Sequence, residues 1–194
     1  MKLLNTAWCR ENRAKPLVFL GAVLFASGVA HLGVYCIDGG AWEGDISWRK
    51  PILFGISAGL TSISMGWVWG SLSTWKYDRF LSWTAALALL LEVGLIDLQQ
   101  WRGVASHFNR STALDSAIYN VMGLLILWVT GVIIALTVRS FMTPLSQPTP
   151  MVIAIQYGLL YLTISCGLGI LININGDLRM QTGMSPAQYG EAGV

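Results

Sequence analysis

Charge is what this chain has least of. Only 11% of its 194 residues are Asp, Glu, Lys or Arg, against about a quarter in an ordinary soluble domain. A soluble helical bundle of this size would need polar outer faces, and the sequence has too few charged residues to build them. The net charge of +2 is small, and the basic residues are scattered without interleaved aromatics, so nucleic acid is not an expected partner. Three cysteines, Cys9, Cys36 and Cys166, are far apart and odd in number. Without a Cys-x-x-Cys pair they indicate neither a disulfide framework nor a zinc site. They read as small packing residues, although Cys36 and Cys166 could meet at one membrane face. Two histidines leave little for a protein-held metal, and none is expected.

Long apolar runs take the place of charge. Five segments approach or exceed the roughly 20 residues that a bilayer core demands of a helix: Leu17–Ile37, Ile52–Ser73, Phe80–Trp101, Ser116–Val138 and Met151–Ile174. The expected fold is therefore all-α, a polytopic membrane bundle of five spans and a single domain over residues 17–174. A basic flank (1–16) precedes it and a loose, Gly-rich tail (175–194) follows it. The lipid bilayer is the first partner.

The flank, with Lys2, Arg10, Arg13 and Lys15 against Glu11, reads as the cytoplasmic side of an uncleaved signal anchor, because the apolar run behind it is too long for a cleaved one. With the N-terminus inside, Lys2, Arg10, Arg13, Lys15, Lys76, Arg79 and Arg139 fall inside. Arg49, Lys50, Arg102, Arg110 and Arg179 fall outside. That positive-inside bias points to a cytoplasmic N-terminus.

Small residues predict where helices touch. The first helix has Ala22, Ala26 and Ala30 at four-residue spacing, and the second has Gly55, Gly59, Ser62, Gly66 and Gly70 on one face. Such stripes allow close helix approach. The Thr74–Arg79 turn is short enough to make the second and third helices antiparallel neighbours.

The third helix carries the most informative residue. Ala85, Ala88, Glu92 and Gln99 fall on one stripe at about 100° per residue, so Glu92 points into the bundle. Burial makes a carboxylate costly, so Glu92 is expected either to be protonated or to be paired. An ionisable residue inside a membrane is a functional candidate by default. An inert helix-to-helix hydrogen bond is the alternative. Asp97 lies off that stripe, nearer the surface, and is expected to be solvated or paired with Arg102. Parity of the spans gathers His31, Arg49, Lys50, Gln99, Arg102, His107 and Asn109 at one membrane face above Glu92, as a polar vestibule narrowing onto the buried carboxyl. Arg49 and Lys50 would either grip lipid headgroups or counter Glu92 or Asp97. Thr112 and Asp115 have capping-box spacing.

The residues Trp48-Arg49-Lys50-Pro51, Phe54-Gly55-x-Ser57, Glu92 and Gln99-x-x-Arg102-Gly103-x-x-Ser106-His107-Phe108-Asn109 resemble those of an uncharacterised group of bacterial multi-pass membrane proteins. The resemblance covers about the middle third of the chain. It implies bacterial membrane residence and brings no activity. It also implies further hydrophobic segments beyond a Gly-Asp-Leu-Arg like that at Gly176–Arg179.

Several functions fit. In proton-linked transport or small-solute binding, Glu92 is the protonatable site and His31 and His107 relay or gate. In a membrane redox protein, the two histidines are axial ligands of a b-type haem, or a quinone binds without haem; otherwise no cofactor is expected. In a non-catalytic subunit or homo-oligomer, the small-residue faces bind partner chains. The balance is against an enzyme: Gly55-Ile56-Ser57-Ala58-Gly59 matches the hydrolase nucleophile pattern, but that pattern needs a strand-to-helix elbow, and here it lies inside an apolar helix.

Overall fold

The computed structural model describes residues 12–181 and 183. Five helices make up the bundle: α1 (Lys15–Asp38), α2 (Arg49–Ser71), α3 (Asp78–Trp101), α4 (Ala113–Met142) and α5 (Thr149–Gln181). There is no strand among the described residues. All five helices are long and apolar enough to cross a membrane. The fold is thus the expected all-helical bundle. Most of the basic flank, with Cys9, and most of the tail lie outside the described residues. Cys36 and Cys166 are free thiols.

The tightest seam joins α1 and α2. A Cβ on Gly28 would stand 2.7 Å from the Ile56 nitrogen, and one on Gly55 would stand 2.7 Å from the Gly28 Cα. Backbone therefore meets backbone, which only glycine permits. The Ser62 hydroxyl closes the seam by donating to the Leu17 carbonyl at 2.8 Å.

The α2 stripe expected from the sequence is the one used: Gly55, Gly59, Ser62 and Gly66 are buried. The α1 stripe is not. Ala22, Ala26 and Ala30 are exposed, while Leu17, Gly21, Leu24, Gly28 and His31 are buried. Glycine lets the axes approach more closely than alanine, so the Gly21–Gly28 face takes the neighbour and carries His31 inward with it.

The connections hold the ends. At the α1 N-terminal end, Asp78 is 1% exposed and binds Arg13 at 2.9 Å and Arg139 at 2.5 Å. It also accepts from the Trp75 amide at 2.8 Å. This clasp ties α1, the α2–α3 turn and α4 together. The α4–α5 connection reaches α2, where the Ser146 amide donates to the Ser71 carbonyl and Gln147 to the Ser71 hydroxyl.

At the opposite end, Arg110 pairs with Asp177 at 3.2 Å, and the Tyr119 hydroxyl donates to Asn173 at 2.7 Å. The residues expected to form a loose tail from Asn175 continue α5 to Gln181. These contacts with α4 and its preceding loop hold that extension in place. A cavity of about 470 Å³ lies between α2 and α5, walled by apolar side chains including Leu60, Met65, Val68, Ile155, Leu159 and Leu162.

Candidate functional site

The polar residues collect at one end of the bundle, where α1 and α3 finish and α2 and α4 begin. They form three separate groups, with Glu92 below them on α3.

The first group lies between α1 and α3. Ser27 and His31 are one turn apart on α1, and Asp97 and Trp101 are one turn apart on α3. Trp101 Nε1 donates to His31 Nε2 at 3.0 Å. His31 Nδ1 lies 2.9 Å from the Ser27 carbonyl. The Ser27 hydroxyl donates to Asp97 Oδ2 at 3.1 Å, and that oxygen is 4.0 Å from His31 Nδ1. Trp48, just before α2, flanks His31 and meets Trp101 edge-on, at a centroid separation of 5.2 Å. Asp97 Oδ1 is buried with no hydrogen-bond partner among the described residues. The expected Asp97–Arg102 pair is not formed, because Asp97 turns toward α1.

The second group ties α3 to α4. Asp115 Oδ1 accepts from Arg102 at 2.7 Å and from Gln99 Nε2 at 3.1 Å. Arg102 also donates to the Gln99 side-chain oxygen. Thr112 caps α4: its oxygen accepts from the Asp115 amide at 3.1 Å, as its spacing predicts, and its hydroxyl donates to Asp115 Oδ2 at 2.6 Å. Gln99 and Arg102 are therefore committed to a structural knot. Asn109 is committed too, donating to the Ala105 carbonyl at 3.0 Å and accepting from the Ser111 hydroxyl at 2.7 Å.

The third group is the His107 loop. Phe108 takes φ +56°, a left-handed conformation that is strained for a bulky residue. It packs on Tyr119. His107 is half-buried, 5.5 Å centroid to centroid from Phe54 of α2, and its Nδ1 lies 2.9 Å from the Ser106 hydroxyl. Burial, then the Lys50 ammonium, push its pKa down to about 4. His107 is therefore neutral at physiological pH.

Lys50 itself donates to the Asp45 carbonyl at 2.7 Å, and Arg49 is exposed. Neither forms an ion pair among the described residues, and the expected pairing of either with Glu92 or Asp97 is absent.

Glu92 is 7% exposed, on the face of α3 shared by Ala85, Ala88 and Gln99, all buried. Its Oε2 is buried with no hydrogen-bond partner among the described residues. It forms no ion pair there either. The cavity between α2 and α5 is lined by none of the site residues named from the sequence.

For a haem, the two histidines are poorly disposed. Both ring nitrogens of His31 are already engaged, by Trp101 and Ser27, so ligation would have to displace one of them. Among the described residues no group of three or more His, Cys, Asp or Glu could hold a metal ion. Ser57 is exposed within regular helix and donates to the Phe54 carbonyl at 3.5 Å, so the nucleophile elbow is missing.

Sequence reasoning did not include Ser27, Trp48 and Trp101 in the site. The four-residue spacings Ser27–His31 and Asp97–Trp101 were visible signals, since such pairs share a helix face. No family model, curated protein or solved structure matches the chain.

Proposed function

We infer that this is a proton-handling membrane protein, in which Glu92 gains and loses a proton in step with the passage or binding of a small solute. One observation carries this reading. Glu92 is a carboxyl withdrawn into an apolar bundle, with a buried oxygen that has no hydrogen-bond partner among the described residues. Had the residue been kept only to join two helices, it would have a donor or a cation beside it. Without either, the neutral acid is the cheaper form, and ionisation requires an arriving cation, water or polar solute. The access route would run from the polar end, past Gln99 and Arg102. In this reading His107 guards that end as a neutral side chain.

The charge bias supports an N-terminus in the cytoplasm, and the sequence resemblance supports a bacterial inner membrane. A second reading, a non-catalytic subunit or homo-oligomer, has its own support. The Ala22–Ala26–Ala30 stripe faces out of the bundle, and such stripes suit helix association.

The test is flux in proteoliposomes under an imposed pH gradient, comparing wild type with Glu92→Gln. The amide is isosteric and cannot titrate, so pH-driven flux should vanish while the protein still inserts and folds. Equal flux in both would refute the role of Glu92. Absence of flux from a wild-type protein that co-purifies with a stoichiometric membrane partner would favour the subunit reading.

A further inference from the structure

The geometry points to a pH-operated latch between α1 and α3, made of His31, Trp101 and Asp97, that is independent of Glu92. An indole N–H can only donate. Because Trp101 Nε1 lies 3.0 Å from His31 Nε2, that ring nitrogen must be the acceptor and carry no proton. The ring hydrogen is then on Nδ1, which donates to the Ser27 carbonyl at 2.9 Å. The neutral imidazole thus satisfies both helices at once.

Protonation reverses this at a single atom. With both nitrogens of the imidazolium donating, Nε2–H and the indole N–H point at one another, and the latch opens. The new charge then has a carboxylate to approach, with Asp97 Oδ2 4.0 Å from Nδ1 and Oδ1 buried without a hydrogen-bond partner among the described residues.

Just before α2, the ring against His31 is Trp48; Arg49 is exposed and Lys50 is bonded to the Asp45 carbonyl. Just after α3, Arg102 is tied to Asp115, and Asp38 and Glu43 are exposed. Within 4.0 Å, Asp97 is the charged partner that the described residues present to His31. Trp101 is the last residue of α3. Its release frees the last turn of α3, beyond Asp97, from α1, while Ser27 still holds Asp97.

The experiment uses the whole protein in lipid nanodiscs. The chain has two histidines, so in a His107→Gln background the imidazole ¹⁵N spectrum belongs to His31 alone. At about pH 8 it should show the Nδ1–H tautomer; an Nε2–H tautomer overturns the proposal, without any change at His31 itself. The Trp101 indole N–H resonance, assigned by its loss in Trp101→Phe, should move in one step as the pH is lowered far enough to protonate His31. In His31→Gln, which keeps an acceptor for the indole but cannot titrate, it should stay put. A Trp101 resonance that is flat in wild type, or that moves equally in His31→Gln, overturns the latch.

Discussion

Replacing Gly55 by alanine tests the α1–α2 seam directly. The added Cβ would stand 2.7 Å from the Gly28 Cα, 2.8 Å from its nitrogen and 3.1 Å from the Leu24 carbonyl oxygen. Carbon atoms in contact prefer about 3.5–4.0 Å. Backbone cannot swing aside as a side chain can, so the two helices must part by ~1 Å. A gap of that size forfeits a quarter to a half of each atom–atom attraction, which is worth about 0.1–0.2 kcal/mol per pair. Over about 40 pairs, the number one buried leucine makes, the loss is ~2 kcal/mol. This falls within the usual cost of overpacking. Alanine returns ~1 kcal/mol of helix propensity, leaving a net destabilisation of ~1 kcal/mol.

Gly94→Ala is the control. A Cβ there meets nothing within 4 Å, so only the propensity gain remains and the variant should be more stable by up to ~1 kcal/mol. The two alanines should therefore differ by ~2 kcal/mol and in sign. Reversible unfolding in mixed micelles, followed by far-UV circular dichroism, measures both. Adding Gly28→Ala to Gly55→Ala should cost less than it does alone, since the helices have already separated and neighbouring sites are not additive. Equal stabilities for Gly55→Ala and Gly94→Ala, or full additivity of Gly28→Ala and Gly55→Ala, would show that the close crossing does not hold the helices.

Three other outcomes follow from named contacts. Asp78→Ala leaves Arg13 and Arg139 facing each other around a vacated site, and should cost about 3 kcal/mol or more in the same unfolding assay; a change under about 0.5 kcal/mol would mean that the clasp is idle. His107 binds its proton less readily when folded, at a pKa of about 4, than when unfolded at about 6.5. The unfolded chain thus holds more protons between these values, so the stabilisation is complete above about pH 6.5 and lost as pH falls through about 4, by at most about 3 kcal/mol. The stability difference between wild type and His107→Gln should rise across that interval, and a flat difference would contradict the burial of His107. Thr112→Ala removes the α4 cap that holds the Asp115 amide, and should cost ~1 kcal/mol in the unfolding assay.

Sequence and structure each decided different things here. Five apolar runs and a shortage of charge were enough to define a membrane bundle, because a bilayer core sets helix length and tolerates few charges. Periodicity was enough to turn Glu92 inward and to align Gly55, Gly59 and Ser62, since residues on one α-helix keep their angular relation whatever surrounds them. Thr112 was legible as a cap because capping is local.

Which face meets which neighbour depended on the fold. The sequence pointed to Ala22, Ala26 and Ala30 as the α1 seam, and the backbone contact between Gly28 and Gly55 put it on the Gly21–Gly28 face instead. Arg102 took Asp115 rather than Asp97 for the same reason. A pairing energy depends on the distance between residues far apart in sequence, and the chain's own order does not contain that distance. That Glu92 Oε2 has no hydrogen-bond partner among the described residues is likewise a property of the assembled bundle, since a group is unpaired only with respect to everything packed around it.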